Sequence, residues 1–218
     1  MKTFKLRRTI ISLVLLLMTA LVFSGQPIDE LGLSSENNQV LITGELASLD
    51  VKGRAPKTGY SRAQFGDGWA IRSGCDVRNI ILARDLKSVA IDDACHVQSG
   101  TLHDPYTGSV IQFTRGEQTS DDVQIDHVVA LSDAWQKGAQ QLSFETRVQF
   151  ANDPLNLLAV DGSANQQKSD SDAASWLPSN KSFRCQYIHR QVKVKQKYAL
   201  WVTASEQTAM ARVLSACV

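Results

Sequence analysis

Four cysteines set the tightest limit on the fold of this 218-residue chain, because its beginning is typical of an exported protein. They are Cys75, Cys95, Cys185 and Cys217. In an oxidising compartment an even number of cysteines indicates disulfides, and four cysteines allow three pairings. We favour Cys75 with Cys95 and Cys185 with Cys217, because each pair closes a local unit. A structural zinc site is the alternative, but it normally contains Cys-x-x-Cys pairs, which the chain lacks.

Residues 1–25 have the layout of a secretory signal peptide. Basic residues come first, an apolar run spans Ile10 to Phe23, and the small residues Ser24 and Gly25 follow. The alternative is an uncleaved membrane anchor. However, the apolar run has 14 residues, and crossing a bilayer takes about 20. We therefore expect a secreted or periplasmic protein that is cleaved after this segment and has no membrane anchor afterwards.

The net charge and the length of the exported part limit its possible functions and its number of domains. The signal segment carries four basic residues and no acidic one, so its removal changes the formal net charge from +1 to −3. Global charge therefore does not indicate a nucleic-acid-binding protein, and attraction to a polyanion would need a local basic patch. The remaining length of about 190 residues suits one domain. We assign this domain to residues 58–218, after an N-terminal lead-in at residues 26–57.

The first half of the domain is predicted to contain a helix and a hairpin. Apolar residues at helical spacing predict a helix from Cys75 to Ala90. Two apolar runs, Val97 to Leu102 and Val110 to Phe113, flank the segment Asp104-Pro105-Tyr106-Thr107-Gly108. An early proline and a late glycine favour a tight turn there. The two runs are therefore predicted to be the paired strands of a hairpin.

The second half is predicted to alternate strands and helices. Strands are expected from Val123 to Val129 and from Leu155 to Val160, with a short helical segment and a possible N-cap at Ser143 between them. A helix is expected around Ser163 to Ala174. These elements, together with two helices at the end of the chain, predict an α+β fold.

The last two helices are expected to form a hairpin. They are predicted at Phe183 to Leu200 and at Ser205 to Ala216, and Thr203 with Glu206 forms a capping-box pattern before the second. If the two helices run antiparallel, the cysteine near the start of the first meets the cysteine at the end of the second. The favoured pairing of Cys185 with Cys217 would then join the open end of this hairpin.

Two short segments carry residues that indicate a chemical function. Asp126 and His127 place a carboxylate beside an imidazole, and the later segment supplies Asn156, Asn165 and Lys168. Cleavage of a phosphodiester needs a base that deprotonates a water and positive charge near the developing phosphorane. An imidazole suits the base, since it titrates near neutral pH. Each side chain alone more often has a structural role such as capping a turn, and only the combination favours catalysis.

Asp126 and His127 are neighbours on a predicted strand, which places a condition on the hypothesis that both act in one catalytic site. Neighbouring residues of a regular strand point to opposite faces of the sheet. Asp126 and His127 can therefore serve one site only if the chain bends at the end of the strand.

The same residues resemble a known family. Asp126-His127, Asn156, Asn165 nine positions later and Lys168 look like the HNH or ββα-metal nuclease motif, in a variant whose last histidine is asparagine. Other segments are similar to secreted bacterial members related to the GmrSD-type endonuclease C-terminal domain. These segments are Gly59 to Trp69, Cys75 to Asn79, Asp104 to Gly108, and the tail from Cys185 to Cys217. The resemblance covers almost all of the chain after Val40.

The resemblance implies a ββα-metal core with surrounding helices, a C-terminal helical hairpin and two disulfides. It implies that His127 is the general base and that Asp126 and Asn165 bind the metal. It also implies that Asn156 holds the histidine-bearing loop in place. Lys168 matches a frequent lysine of the motif, which lies either near a phosphate or in a salt bridge.

The ligand types indicate a metal independently of the family. One carboxylate and one amide oxygen, completed by water and phosphate oxygens, suit a hard ion. We therefore expect Mg²⁺, with Mn²⁺ as the alternative and Zn²⁺ as the less favoured one.

The first C-terminal helix is rich in basic residues. A charged helix face is usually a solvated surface. In a slightly acidic protein it is nevertheless the best candidate for contacts with nucleic-acid phosphates, which would be independent of sequence and weakened by salt. The candidates are Arg184, Arg190, Lys193 and Lys195, extended by Arg78.

These observations favour an exported, metal-dependent endonuclease of low sequence specificity that cuts DNA, with RNA as an open alternative. No obligate protein partner is indicated. A second hypothesis is an exported nucleic-acid-binding module without turnover, and a third is a nuclease toxin delivered to rival cells. A metallopeptidase is disfavoured, because the chain has no His-Glu-x-x-His segment.

Overall fold

The computed structural model describes residues 41–116 and 120–217. The predicted signal peptide lies outside the described residues, and so do residues 26–40 of the predicted lead-in. Residues Leu41–Cys217 form one compact unit. Within the described part of the chain, no helix is both long and apolar enough to cross a bilayer.

The described residues form an α+β fold, as predicted. The helices are α1 (Val77–Asp85), α2 (Leu131–Gln136), α3 (Phe144–Ala151), α4 (Gly162–Lys168), α5 (Arg184–Lys197) and α6 (Ala204–Leu214), and residues 41–47 are also helical. The strands are β1 (Ile71–Arg72), β2 (Cys75–Asp76), β3 (Leu86–Ile91), β4 (Val97–His103), β5 (Val110–Thr114), β6 (Val123–His127) and β7 (Leu157–Asp161). Short 3₁₀ helices span Arg62–Phe65, Ala139–Gln141 and Lys181–Phe183.

All strand pairs within the three sheets are antiparallel. β1 pairs with β2, β3 with β4 and β4 with β5, and β6 pairs with β7. The predicted hairpin is confirmed, since His103 pairs with Val110 on either side of the turn. Inside this turn Oδ2 of Asp104 accepts hydrogen bonds from the backbone N–H and the hydroxyl of Thr107. Gly108, with a φ of +81°, closes the turn.

The helix predicted from Cys75 to Ala90 is present, but the predicted range is too long at both ends. α1 begins only after Asp76, whose side chain accepts a hydrogen bond from the backbone N–H of Asn79 as an N-cap. It ends at Asp85, because the following residues form β3 and pair with β4. The helical spacing of apolar residues continued past Asp85, but pairing with a distant strand overrode that local pattern.

The helix predicted around Ser163 to Ala174 is also shorter than expected. α4 ends at Lys168, and Ser169 follows with a φ of +49°. A residue in this left-handed conformation terminates a helix. The chain then turns at Asp172, whose carboxylate accepts a hydrogen bond from the backbone N–H of Ala174.

Both favoured disulfides are present. Cys75 is bonded to Cys95, and Cys185 at the start of α5 is bonded to Cys217 beyond the end of α6. The capping box of Thr203 and Glu206 begins α6, as predicted. The second disulfide therefore joins the open end of an antiparallel helical hairpin.

A buried ion cluster links the helical part of the molecule. Nζ of Lys137 lies 2.7 Å from Asp133, 2.7 Å from Asp172 and 2.6 Å from Glu206. Nζ of Lys195 lies 3.0 Å from Glu206. Arg54 also forms ion pairs with Asp133 and Asp172. Three cations thus balance three acids, which is the condition under which charges are tolerated inside a protein.

Candidate active site

Strands β6 and β7 with helix α4 position the residues of the sequence motif. Asp126 and His127 end β6, where they pair with Leu158 and Leu157 of β7. The chain passes directly from β7 into α4 at Gly162. A Cβ at this glycine would lie 2.0 Å from the carbonyl oxygen of Asp121. Only glycine therefore permits this close approach between α4 and the residues before β6.

A pocket of about 600 Å³ brings three of the predicted residues together. Asp126, His127 and Asn165 all line this first pocket. Its other lining side chains include three basic ones, namely Lys57, Arg62 and Arg78. Both residues thus border one cavity, although their side chains have different partners, which are Lys168 and Tyr106 for Asp126 and Ala151 and Trp69 for His127. The predicted bend at the end of the strand stays a prediction.

The imidazole of His127 is fixed on two sides. Nε2 lies 2.8 Å from the carbonyl oxygen of Ala151, and the ring stacks on Trp69 with centroids 5.8 Å apart and planes 10° apart. Because a carbonyl oxygen can only accept, Nε2 carries the proton and Nδ1 has the lone pair. Among the described residues none forms a hydrogen bond with Nδ1 of His127. The ring is therefore oriented so that its basic nitrogen has no hydrogen-bond partner within residues 41–116 and 120–217.

His127 is neutral at pH 7. Burial lowers its pKa to about 4, the hydrogen bond with Ala151 opposes that change, and the charges of Arg62 and Lys168 lower the pKa further. Loss of hydration disfavours the imidazolium, since the charged form is the one that water stabilises. A neutral imidazole can accept a proton from water.

The carboxylate of Asp126 is held from two sides. Nζ of Lys168 donates to Oδ1 at 2.9 Å, and the hydroxyl of Tyr106 donates to Oδ2 at 2.5 Å. Burial raises the pKa of Asp126, while Lys168 and Tyr106 act in the opposite direction. Burial also raises the pKa of Tyr106 well above its usual value, and the charge of Asp126 raises it further. Tyr106 therefore stays protonated and acts as the donor.

Lys168 connects the two adjacent motif residues. Besides its ion pair with Asp126, its Nζ donates to the backbone carbonyl of His127 at 2.9 Å. The side chain has no solvent exposure. Of the two positions implied by the resemblance, the structure gives Lys168 the salt bridge.

Asn156 hydrogen-bonds the backbone that follows His127. Its Oδ1 accepts from the N–H of Val129 at 2.8 Å, and its Nδ2 donates to the carbonyl of the same residue at 3.3 Å. Its own carbonyl accepts from the N–H of Val128 at 2.8 Å. Three hydrogen bonds therefore tie this fully buried residue to the segment after β6.

The oxygen donors of the pocket fit a hard metal ion. Nδ2 of Asn165 donates to Oε1 of Gln124 at 2.8 Å, which leaves its amide oxygen as the other polar atom. Each oxygen of the Asp126 carboxylate can accept more than one interaction. The described residues contain no group of three or more His, Cys, Asp or Glu side chains able to hold a metal. Asp126 and Asn165 could offer a metal ion one carboxylate and one amide oxygen, although both oxygens of the carboxylate already accept hydrogen bonds from Lys168 and Tyr106.

The basic residues predicted on α5 lie away from this pocket. Lys195 is buried in the ion cluster, so its ammonium cannot reach a phosphate. Lys193 forms an ion pair with Glu45. Arg184 donates to the carbonyl of Pro178, and Arg190 donates to that of Leu157. None of these four side chains lines the first pocket.

Arg78 is the one predicted phosphate contact that lines the pocket. Its guanidinium lies 3.4 Å from the carbonyls of Ser120 and Val123. Burial lowers the pKa of Arg78, and neighbouring Arg115 lowers it further. Asp76 and Asp121 act in the opposite direction, so the guanidinium of Arg78 has both positive and negative charges nearby.

Several residues at the pocket were missed from the sequence. Trp69, which stacks on His127, and Arg62, which lines the pocket, belong to the segment Gly59 to Trp69. Tyr106, which donates to Asp126, belongs to the turn between β4 and β5. Both segments were recognised as similar to the family, but no spacing rule connects them with His127 or Asp126. An aromatic residue in such a shared segment was the available signal.

Comparisons with known proteins agree with the resemblance. Residues 76–213 match the family described as GmrSD restriction endonucleases, C-terminal domain. A protein of Arthroderma benhamiae described as an uncharacterized secreted protein is 38% identical over 174 residues, which cover 79% of this chain and 82% of that protein. No solved structure matches the chain.

Proposed function

Since the chain belongs to the GmrSD restriction endonuclease C-terminal domain family, we propose that it is an exported, metal-dependent endonuclease of the HNH type. The observation that carries this proposal is the state of His127. Its Nε2 is bound to the carbonyl of Ala151, and the residue lines one pocket with Asp126 and Asn165. A general base must be oriented and unprotonated, and the lowered pKa of about 4 keeps this imidazole unprotonated but makes it a weaker base than one that titrates near neutral pH.

The order of elements supports an HNH-type core. Two antiparallel strands, β6 and β7, are followed directly by α4. The proposed base ends the first strand, and Asn165 lies on the helix. This order of elements is consistent with the ββα arrangement that the resemblance implies.

In the proposed mechanism Nδ1 of His127 takes a proton from the attacking water. Ala151 and Trp69 keep the ring in place during this transfer, because they hold its other nitrogen and one face. Asp126 and Asn165 would hold the metal ion, which supplies positive charge to the phosphorane and the leaving oxygen. Lys168 and Tyr106 orient the Asp126 carboxylate.

The pocket chemistry supports a nucleic-acid substrate read through its backbone. Arg62, Arg78 and Lys57 line the same pocket as His127, together with Asp121 and Asp170, and Lys57 forms an ion pair with Asp170. Contacts from such side chains to phosphates carry no sequence information. We therefore propose cleavage of DNA with low sequence specificity, and RNA is a second polymer to be assayed.

Export is proposed from two observations. Residues 1–25 have the layout of a signal peptide, and the Arthroderma relative is described as secreted. Two disulfides are consistent with an oxidising compartment. The bacterial origin suggested by the resemblance stays a prediction.

The proposal is tested with purified protein and supercoiled plasmid. We expect nicking with Mg²⁺ or Mn²⁺, loss of nicking with EDTA, and recovery when excess Mg²⁺ is added. Asn165→Ala should require more metal for half-maximal activity, whereas Gln166→Ala, an exposed neighbour on α4, should behave as the wild type. Mn²⁺ binding followed by electron paramagnetic resonance without nucleic acid gives a second readout. Unchanged metal dependence of both variants would remove Asn165 from the metal site, and a shifted band without fragments would indicate a binding module.

A further inference from the structure

A second pocket of about 430 Å³ lies beside the first. The two pockets share three lining residues, namely Arg62, Leu131 and His127. The proposed base therefore stands at their junction. A ligand with its phosphate at His127 would extend into the second pocket.

The lining of the second pocket differs from that of the first. Trp69 and the buried ring of Phe65 contribute aromatic surface, and Gly66 and Gly68 contribute backbone without side chains. Among the described residues that line it, Asp67 is acidic and Arg62, at the shared edge, is basic. The second pocket therefore has fewer charged residues and more aromatic surface than the first, where Lys57, Arg62 and Arg78 stand beside three aspartates.

We propose that the second pocket binds an unpaired nucleobase adjacent to the phosphate that is cleaved. This inference rests on the proposed nuclease function and specifies its substrate as single-stranded or locally unpaired nucleic acid. An aromatic wall suits the flat face of a base, and such stacking contributes about 1–3 kcal/mol per base with little dependence on sequence. The carboxylate of Asp67 can accept hydrogen bonds from the amino groups of bases.

The residues that line the two pockets indicate the path of a bound nucleic-acid strand. Arg78 and Gln124 line the first pocket near the beginning of β6, and His127 lies at the end of that strand. Trp69 lies beyond His127 in the second pocket. A single strand would therefore run along β6, with phosphates beside Arg78 and Arg62 and one base beyond the catalytic histidine.

The second pocket, of about 430 Å³, is large enough for a single base. The volume of the second pocket falls within the range of about 300–1,000 Å³ that is typical of sites for small ligands. A base that enters this pocket must leave its stack, which costs a few kcal/mol in a duplex and less where the base is already unpaired. Single strands are therefore the favoured substrate.

The test uses a variant that fills the second pocket without altering the first. Ala63 is exposed, lines only the second of the two pockets and contributes its backbone carbonyl to a turn. Ala63→Phe should occupy the space of a base and leave the site around Asp126 intact. Ala211→Phe, at an exposed alanine of α6, is the matched control.

Binding is measured in EDTA by fluorescence anisotropy, with an eight-nucleotide DNA strand and with an abasic strand of the same length and charge. We expect the wild type and Ala211→Phe to bind the strand with bases about 5- to 150-fold more tightly, which corresponds to stacking of one base. Ala63→Phe should bind the two strands within twofold of each other. A duplex of the same sequence should bind the wild type more weakly than the single strand does.

The outcomes distinguish this inference from the proposed function. Equal binding of both strands by the wild type, or undiminished discrimination by Ala63→Phe, would overturn the base pocket even if plasmid is cut. Discrimination that Ala63→Phe removes would support the pocket even if no condition gives cleavage, in which case the nuclease proposal alone would fail.

Discussion

Nζ of Lys168 lies 2.9 Å from Oδ1 of Asp126, and the exposed fractions of the two side chains are 0% and 6%. Water therefore has almost no access to this ion pair. Removal of one partner leaves the other charge buried and unpaired, which typically costs about 3–5 kcal/mol. Replacement of both partners costs much less than the two single losses together, because no charge is then left unpaired.

The first prediction concerns this pair. Lys168→Met should lower the free energy of unfolding in EDTA by about 3–5 kcal/mol, and Asp126→Asn should also lower it. The double variant should lose clearly less than the sum of the two losses. Urea denaturation followed by circular dichroism measures all three. Additive losses would show that the two side chains do not interact as the structure has them.

The second prediction concerns pH and the metal-free protein. Burial depresses the pKa of folded His127 to about 4, whereas an unfolded histidine has a pKa of about 6.5. Between these values the unfolded state binds more protons, so stability falls as the pH falls. From pH 7.5 to pH 4 this residue should remove about 3 kcal/mol.

The measurement is the free energy of unfolding of the wild type and of His127→Gln in EDTA across that pH range. The glutamine variant has no imidazole to protonate. Its loss of stability on acidification should therefore be smaller than that of the wild type by the amount given above. Parallel curves would mean that the imidazole does not titrate differently in the two states.

The third prediction separates the two roles of Glu206. The residue belongs to the capping box of α6 and also to the buried ion cluster, where Lys137 and Lys195 are its partners. Thr203→Ala removes only the cap and should cost about 1 kcal/mol. Glu206→Gln leaves two buried cations with less negative charge and should cost about 3–5 kcal/mol. Similar melting temperatures for the two variants would assign Glu206 to the cap alone.

Local signals in the sequence predicted much of the fold. The Pro–Gly turn between β4 and β5, the capping box before α6 and the two disulfides all depend on residues close in sequence or on a simple hairpin, and all are present. The end of α1 was not predicted correctly. Residues 86–91 continue a helical pattern, and only pairing with β4 makes them a strand.

The sequence predicted which residues of the motif share the candidate site, but it did not predict the residues that surround them. Asp126, His127 and Asn165 share a pocket, whereas Tyr106 and Trp69 reach the site from segments whose spacing carries no signal. Basic composition did not reveal that Lys195 is buried, because its acidic partners come from distant parts of the chain. A count of charges does not reveal which of them are buried in ion pairs.

The most direct measurement compares two histidine variants in a cleavage assay with Mg²⁺ and single-stranded and plasmid DNA. His103, an exposed residue at the end of β4, is the control for His127. The account predicts that His103→Gln cuts at the wild-type rate and that His127→Gln is slower by about 10²- to 10⁴-fold, the usual contribution of a general base. Cleavage by a folded His127→Gln protein at the wild-type rate would contradict it.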